Sequence, residues 1–363
     1  MTRTIFYSEW LIDGMSADAQ MDQAVVVANG LVESVTPANA ITPADGDQVV
    51  RLPGTTLLPG LINNHAHLNL RGDNTAFWDV NQDSDVLLTL RSVHNAQVSL
   101  RAGVTTVRDC GARGTISIEV RDAQAEGLFE GARIIAGGWP ITITGGHLRN
   151  FGGEADGADA LKRMVRRKIS AGVDFVKVMA SGGGTPGSLP AYPSFSADEL
   201  RVIVESSHAL GRRVVAHCTC TAAIDNAVTA GVDFIEHAMF NTPEQAGLYD
   251  PRVAERLAKS GIVVTPTLQV FRDLVDLLPA GPERDGWQER NQAHELVVRK
   301  LHGLGVPLLA GSDAGWRATA FDTFWKELDE LVVCGLTPVQ AVKAATGAIA
   351  RAWGYERFGA ISA

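Results

Sequence analysis

The chain has 363 residues, 45% apolar and 20% charged, enough for one large buried core or one core with a small appended domain. A formal charge of -9 without any Lys/Arg cluster excludes a nucleic-acid or anionic-membrane surface as the natural partner. Four cysteines make no disulfide framework and no apolar stretch is long enough to cross a bilayer, so a reducing, cytoplasmic setting is expected.

The first residues run straight into strand-like sequence, without the apolar stretch of a signal peptide. β-rich runs at 4–12, 24–29, 31–35 and 48–52, punctuated by Gly14, Asn29-Gly30 and Asp45-Gly46, predict a small β-unit over 1–56. From Leu57 the rhythm changes. Apolar runs of strand length fall at 57–63, 104–108, 133–136, 175–179, 214–217, 234–237, 262–266 and 308–312. Helical patterns lie between them at 86–102, 161–171, 197–210, 221–230, 252–260 and 289–304. Ser196 and Glu199 form a capping-box signature, and several patterns stop at a glycine, as at Gly231 and Gly261. This alternation predicts an α/β fold, a (β/α)8 TIM barrel over 57–350. No Gly-x-Gly-x-x-Gly follows an early strand, which argues against a doubly wound sheet. Two further helical patterns, 322–334 and 338–345, come before a tail, 351–363, that returns toward the β-unit.

In such a barrel the C-terminal ends of the strands converge on one mouth. His65 and His67, in Asn64-His65-Ala66-His67-Leu68, stand two apart and so point the same way from a strand. They are either ligands of a divalent metal or a pair merely hydrogen-bonded at a strand end. His217 and His237 close two more strand runs, and Asp313 follows the last. The remaining helical histidines, His94, His208, His294 and His302, read as surface residues. Lys177 lies in Asp174-Phe175-Val176-Lys177-Val178-Met179, too apolar a run for a solvated ammonium. It is either salt-bridged, or deprotonated and converted by CO2 into a carbamate, an anionic ligand able to bridge two cations.

This arrangement resembles the amidohydrolase superfamily, binuclear subtype. Leu58-Pro59-Gly60-Leu61-Ile62-Asn63-Asn64-His65-Ala66-His67, Gly103-Val104-Thr105-Thr106-Val107-Arg108-Asp109, Thr144-Gly145-Gly146-His147, Gly231-Val232-Asp233-Phe234-Ile235-Glu236-His237 and Gly311-Ser312-Asp313-Ala314-Gly315 are similar to its imidazolonepropionase-related hydrolases. The nearest likeness is to the branch of prolidase-like and Xaa-Arg dipeptidases. The resemblance implies two divalent metal ions, zinc being the usual one. His65, His67 and Asp313 would hold the more buried ion and His217 and His237 the more exposed one, with N6-carboxylated Lys177 and a hydroxide bridging both. It further implies amide hydrolysis by that hydroxide, with Asp313 acting as base and then as acid. His147, in a glycine-flanked loop after the third strand, is the candidate donor to the oxyanion. Relatives often add a last β-segment that completes a β-sandwich with the N-terminal strands. This chain ends near Gly359-Ala360-Ile361, so the sandwich-type unit is expected to lack that C-terminal segment.

Substrate contacts are expected from the strand-end loops. Loop 182–193, rich in glycine, reads as a lid carrying Tyr192, while Arg149 and Arg317 are candidates to clamp a carboxylate alongside His147. The expected substrate is a small amide, an N-acyl amino acid or a dipeptide, and the expected state is a homo-oligomer. Two other readings stay open. One is a mononuclear deaminase or cyclic-amide hydrolase, which needs no Lys177 ligand. The other is a non-catalytic assembly protein on the same fold, against which stands the filling of all six ligand positions.

Overall fold

Four N-terminal strands make one mixed sheet: β1 (Arg3–Leu11), β2 (Gln20–Ala28), β3 (Leu31–Pro37) and β4 (Gln48–Leu57), in the order β3-β2-β1-β4. The computed structural model describes residues 3–75, 82–355 and 357–363. β1 runs antiparallel to β2 and parallel to β4. Asn29 and Gly30, with φ of 54° and 76°, give the β2–β3 hairpin its two left-handed turn residues. Ile5, Ala24 and Val26 are buried on one face and form a small core there. The four strands constitute a single sheet among the described residues, where a sandwich-type unit was expected.

The chain parts into two compact units, Met1–Ile62 with Leu336–Ala363, and Asn63–Gly335. In the first, the Ile62 N–H donates to the Ala345 carbonyl at 2.8 Å and the Ile361 N–H to the Asp13 carbonyl at 2.9 Å. These bonds gather the last two helices, α10 (Pro338–Ala344) and α11 (Gly347–Trp353), to the N-terminal residues, so the division differs from one at 56 and 350.

In the second unit strands alternate with helices. The strands are β5 (Leu61–Ala66, which starts in the first unit), β6 (Val104–Asp109), β7 (Arg133–Ala136), β8 (Val176–Met179), β9 (Val214–Cys220), β10 (Phe234–Asn241) and β11 (Val263–Thr265). The helices are α1 (Asp85–Arg101), α2 (Ile116–Ala125), α3 (Ala158–Ser170), α4 (Ala197–His208), α5 (Thr221–Ala230), α6 (Pro251–Ser260), α7 (Gln269–Leu277), α8 (Pro282–Gly303) and α9 (Trp325–Val333). The strands group as β5-β6-β7 and β8-β9-β10-β11, an α/β fold with parallel sheets. Every residue of β8 and β9 is buried, as parallel strands covered on both faces require. Single parallel bridges join Ile141 to Val178, Val264 to Leu308 and Ala66 to Ala314. The run 308–312, expected as a strand, therefore forms one isolated bridge, at Leu308, and a second bridge lies just beyond it at Ala314. Between them the backbone turns aside, and Asp313 has a φ of 59°.

Candidate active site

Segment 311–314 is held against β5 by side chain and backbone together. Asn63 donates from Nδ2 to Ser312 Oγ at 2.8 Å and accepts the Ser312 N–H at 3.1 Å, and the Asp313 N–H donates to the His65 carbonyl at 2.9 Å. A Cβ on Gly311 would collide with Thr265 and with His65, so only glycine permits this approach. The result sets the Asp313 carboxylate beside the pair that β5 presents. Asp313 Oδ1 lies 3.4 Å from Nε2 of both His65 and His67.

The other ring nitrogen of each histidine is committed outward. His65 Nδ1 donates to Glu236 at 2.5 Å, and His67 Nδ1 donates to the Gly111 carbonyl at 2.8 Å. Thr267 gives its own hydroxyl proton to the Pro266 carbonyl, so it accepts from His237 Nδ1 at 2.7 Å. His217 donates from Nε2 to the Gly182 carbonyl at 3.2 Å. Each of the four imidazoles thus keeps one nitrogen with a free lone pair. Their rings gather closely: His217 and His237 centroids are 4.5 Å apart, His65 and His237 5.1 Å, and His65 and His67 5.4 Å. Burial pushes the His237 and His147 imidazoles down to about 3, and those of His65 and His217 well below the usual value. In His67 burial works the same way, but the neighbouring Asp313 carboxylate outweighs it and raises the pKa.

Two more buried groups complete the cluster. Lys177 is 0% exposed, and its Nζ has no hydrogen-bond partner; Asp313 Oδ1 has none either. Backbone strain collects here as well, since His237, Thr267 and Asp313 have φ of 70°, 55° and 59°. His65, His67 and Asp313 offer ligand atoms within 4.8 Å of one another, the spacing of a metal-binding group. His65, Cys110 and Glu236 form a second such group, but Glu236 is bound to Arg108 and burial pushes the Cys110 thiol up to about 12. That thiol stays protonated. All four cysteines are free and buried.

A cavity of about 530 Å³ opens onto this cluster and is lined by His65, His67, His147, Lys177, His217, His237 and Asp313. The loop after β8 shapes its roof. Thr185 Oγ1 hydrogen-bonds His147 Nδ1 at 2.8 Å, and a Cβ on Gly183 would fall into the His147 ring. Thr219 ties the loop down by donating to the Pro190 carbonyl at 2.6 Å, and the Gly182 N–H donates to the Tyr192 carbonyl at 3.1 Å. Gly182, Gly183 and Gly184 serve close packing, whereas Gly187, at φ 81°, faces open space.

The substrate-contact candidates divide. Arg317 lines the cavity, whereas Arg149 does not: its guanidinium is spent on the Gly145 and Pro186 carbonyls at 3.3 and 2.9 Å. Tyr192, half exposed, also lies off the lining. His94 and His208 are exposed, as expected of helix-surface residues. His294 is not one of them. It is 2% exposed, lines the cavity, and donates from Nε2 to the His237 carbonyl at 2.8 Å. Sequence reasoning also passed over Arg108 and Glu236. Arg108 spans the interior from β6, pairs with Glu236, and lies 5.2 and 5.6 Å from the Phe175 and Phe234 ring centroids. A charged residue repeated inside apolar strand runs was the available signal for both.

The chain is similar to the ochratoxinase of Aspergillus niger, 26% identical over 94% of this chain and 75% of the relative. It superposes on the crystal structure of an Xaa-Pro dipeptidase with a TM-score of 0.87, at 24% identity over 99% of this chain and 91% of that one. The crystal structure of a prolidase complexed with N-methylphosphonate-L-proline matches with a TM-score of 0.84, at 25% identity over 99% and 90% of the two chains. Residues 56–363, which carry the whole histidine, lysine and aspartate cluster, match the amidohydrolase family, and the chain belongs to it as a hydrolase of carbon–nitrogen bonds.

Proposed function

We propose that this protein is a metal-dependent hydrolase of amide bonds in small molecules, with an N-acyl amino acid or a dipeptide as substrate. The observation that carries the reading is the donor set: four buried imidazoles, each with one nitrogen committed outward, around the unpartnered Lys177 Nζ and Asp313 Oδ1. His65, His67 and Asp313 would hold one divalent ion, zinc by the chemistry of the set, and His217 and His237 a second. Lys177 as its N6-carboxylate would bridge them, which resolves a buried amine with no partner. Bound there, the ions would acidify a water molecule and polarise the scissile carbonyl.

The chain's own residues do the rest. Asp313 takes the proton of the attacking water at its carboxylate and passes it to the leaving nitrogen. His147, neutral and oriented by Thr185, donates toward the carbonyl oxygen as it gains charge. The three single bridges fall where strands three and four, seven and eight, and eight and one of a (β/α)8 barrel would meet, which supports reading this unit as that barrel. The prolidase similar to this chain was crystallised with an N-substituted L-proline, in keeping with an amino-acid leaving group.

Elemental analysis with an intact mass under non-acidic conditions tests the reading. Two metals per chain and a mass gain of one CO2 are expected. One metal and no gain would instead favour the mononuclear deaminase or cyclic-amide hydrolase, served by His65, His67 and Asp313 alone.

A further inference from the structure

Helix α8 turns one stripe of side chains toward the cavity: Trp287, Arg290 and His294, spaced three and four apart and all in its lining. Phe271 of α7 packs into the same stripe, its ring centroid 5.9 Å from that of Trp287 and 5.6 Å from that of His294. The Arg290 guanidinium stacks at 5.0 Å over the Trp287 ring. Each member has an unused capacity. His294 spends Nε2–H on a carbonyl, and its buried Nδ1 has no partner. Arg290 has no carboxylate partner among the described residues, and stacking leaves the edge of its guanidinium available for a planar anion. Arg290, Arg317 and Glu244 are the exposed charged residues of the lining, so its outer part is net positive.

We propose that this stripe is the substrate-selecting wall of the cavity. It takes a substrate that combines a planar apolar group, a carboxylate and an N–H donor, the chemistry of an N-acylated aromatic amino acid. The apolar group packs on Trp287 and Phe271, the carboxylate meets Arg290, and the N–H donates to His294 Nδ1. The proposal rests on the hydrolase reading above for the position of the scissile bond, but the wall itself binds without turnover.

The test uses the metal-loaded protein and a reduced-amide probe that cannot be hydrolysed, N-ethyl-L-phenylalanine, beside its primary amide. Calorimetry should find the acid bound about 10- to 100-fold more tightly than the amide, the worth of one charge-assisted pair. Arg290→Gln should bring that ratio near unity. His294→Phe should weaken binding about 2- to 10-fold with metal content retained, and His294→Gln, which keeps a donor and an acceptor, should recover part of it. Equal affinities for acid and amide, or an unchanged ratio in Arg290→Gln, would overturn the wall. Loss of metal in His294→Phe would make His294 a positioning residue for His237 and remove its ligand role. Selective binding of the probe together with inert N-acetyl-L-phenylalanine would uphold the wall while rejecting N-acyl amino acids as the hydrolysed substrate.

Discussion

Asp313 and Lys177 differ in what each is asked to do, so their variants should fail differently. Asp313→Asn keeps a ligand oxygen and loses the proton acceptor. Most metal should remain while turnover nearly vanishes, as read by elemental analysis and steady-state rates on one sample; near-normal rates would remove Asp313 as proton carrier. Lys177→Ala deletes the proposed bridging group, so metal should be lost and partly regained with activity on adding short carboxylic acids. Glu236 acts one layer further out, between His65 and Arg108. Glu236→Gln leaves a buried guanidinium without its counter-ion and should cost about 3–5 kcal/mol in urea unfolding. It also removes the carboxylate that orients His65, so metal affinity should fall about 10- to 100-fold in a chelator competition. The pairing of His65 and His67 was legible in the chain, because strand alternation alone aims the two side chains to one side. Glu236 was not, since its role depends on a partner 171 residues away.

Among the elements, the loop between β8 and α4 governs His147. Its anchors at Thr219, Thr185 and Gly182 leave no room for a side chain at position 183. Gly183→Ala should displace the imidazole and lower kcat about 100-fold, the cost of a misplaced group of this kind. Metal content, measured on the same preparation, should not fall with it. The capping box at Ser196 and Glu199 forms as expected, with Ser196 Oγ accepting the Glu199 N–H at 3.3 Å. α5, which stops at Gly231 with a φ of 77°, spans 221–230 as expected. α7 went unread, and α8 begins at Pro282, well ahead of the expected 289. α8 opens on Pro282 with Glu283 and Asp285 in its first turn, a start signal that sequence reasoning passed over. α7 has neither a capping side-chain bond nor an acidic first turn, and packing against its neighbours substitutes for local propensity. The cavity wall follows from that packing.

At the scale of the molecule, stability should respond to pH through Glu327 as well as through the proposed metal centre. Glu327 is 0% exposed and accepts the Gln269 N–H at 2.7 Å, and burial pushes its carboxyl from the ordinary 4.5 up to about 8. The folded state then holds a proton that the unfolded chain has released, so stability is lost as pH rises from about 4.5 to about 8. Glu327→Gln should flatten that fall relative to the parent in Tm measured across the interval; parallel curves would show that the group is ionised in the fold. Removing the metals should act separately. A cation at a hundred times its Kd contributes about 2.7 kcal/mol, so a chelator should lower Tm and added zinc should restore it. No helix among the described residues is long and apolar enough to cross a membrane.

Local rules were sufficient for much of this protein: period-two alternation placed His65 and His67 side by side, glycine stops ended helices, and an apolar run around Lys177 marked a buried amine. The tertiary structure decided which distant groups share a space. It brought His294 to the carbonyl of His237 across 57 residues, turned Arg290 onto Trp287, and spent Arg149 on loop carbonyls. It also folded residue 313 into a left-handed conformation that no neighbour in the chain demands. The physical reason is range. Strand and helix periods act over a few residues, whereas burial, hydrogen-bond satisfaction and charge pairing are settled only when remote segments compete for the same volume.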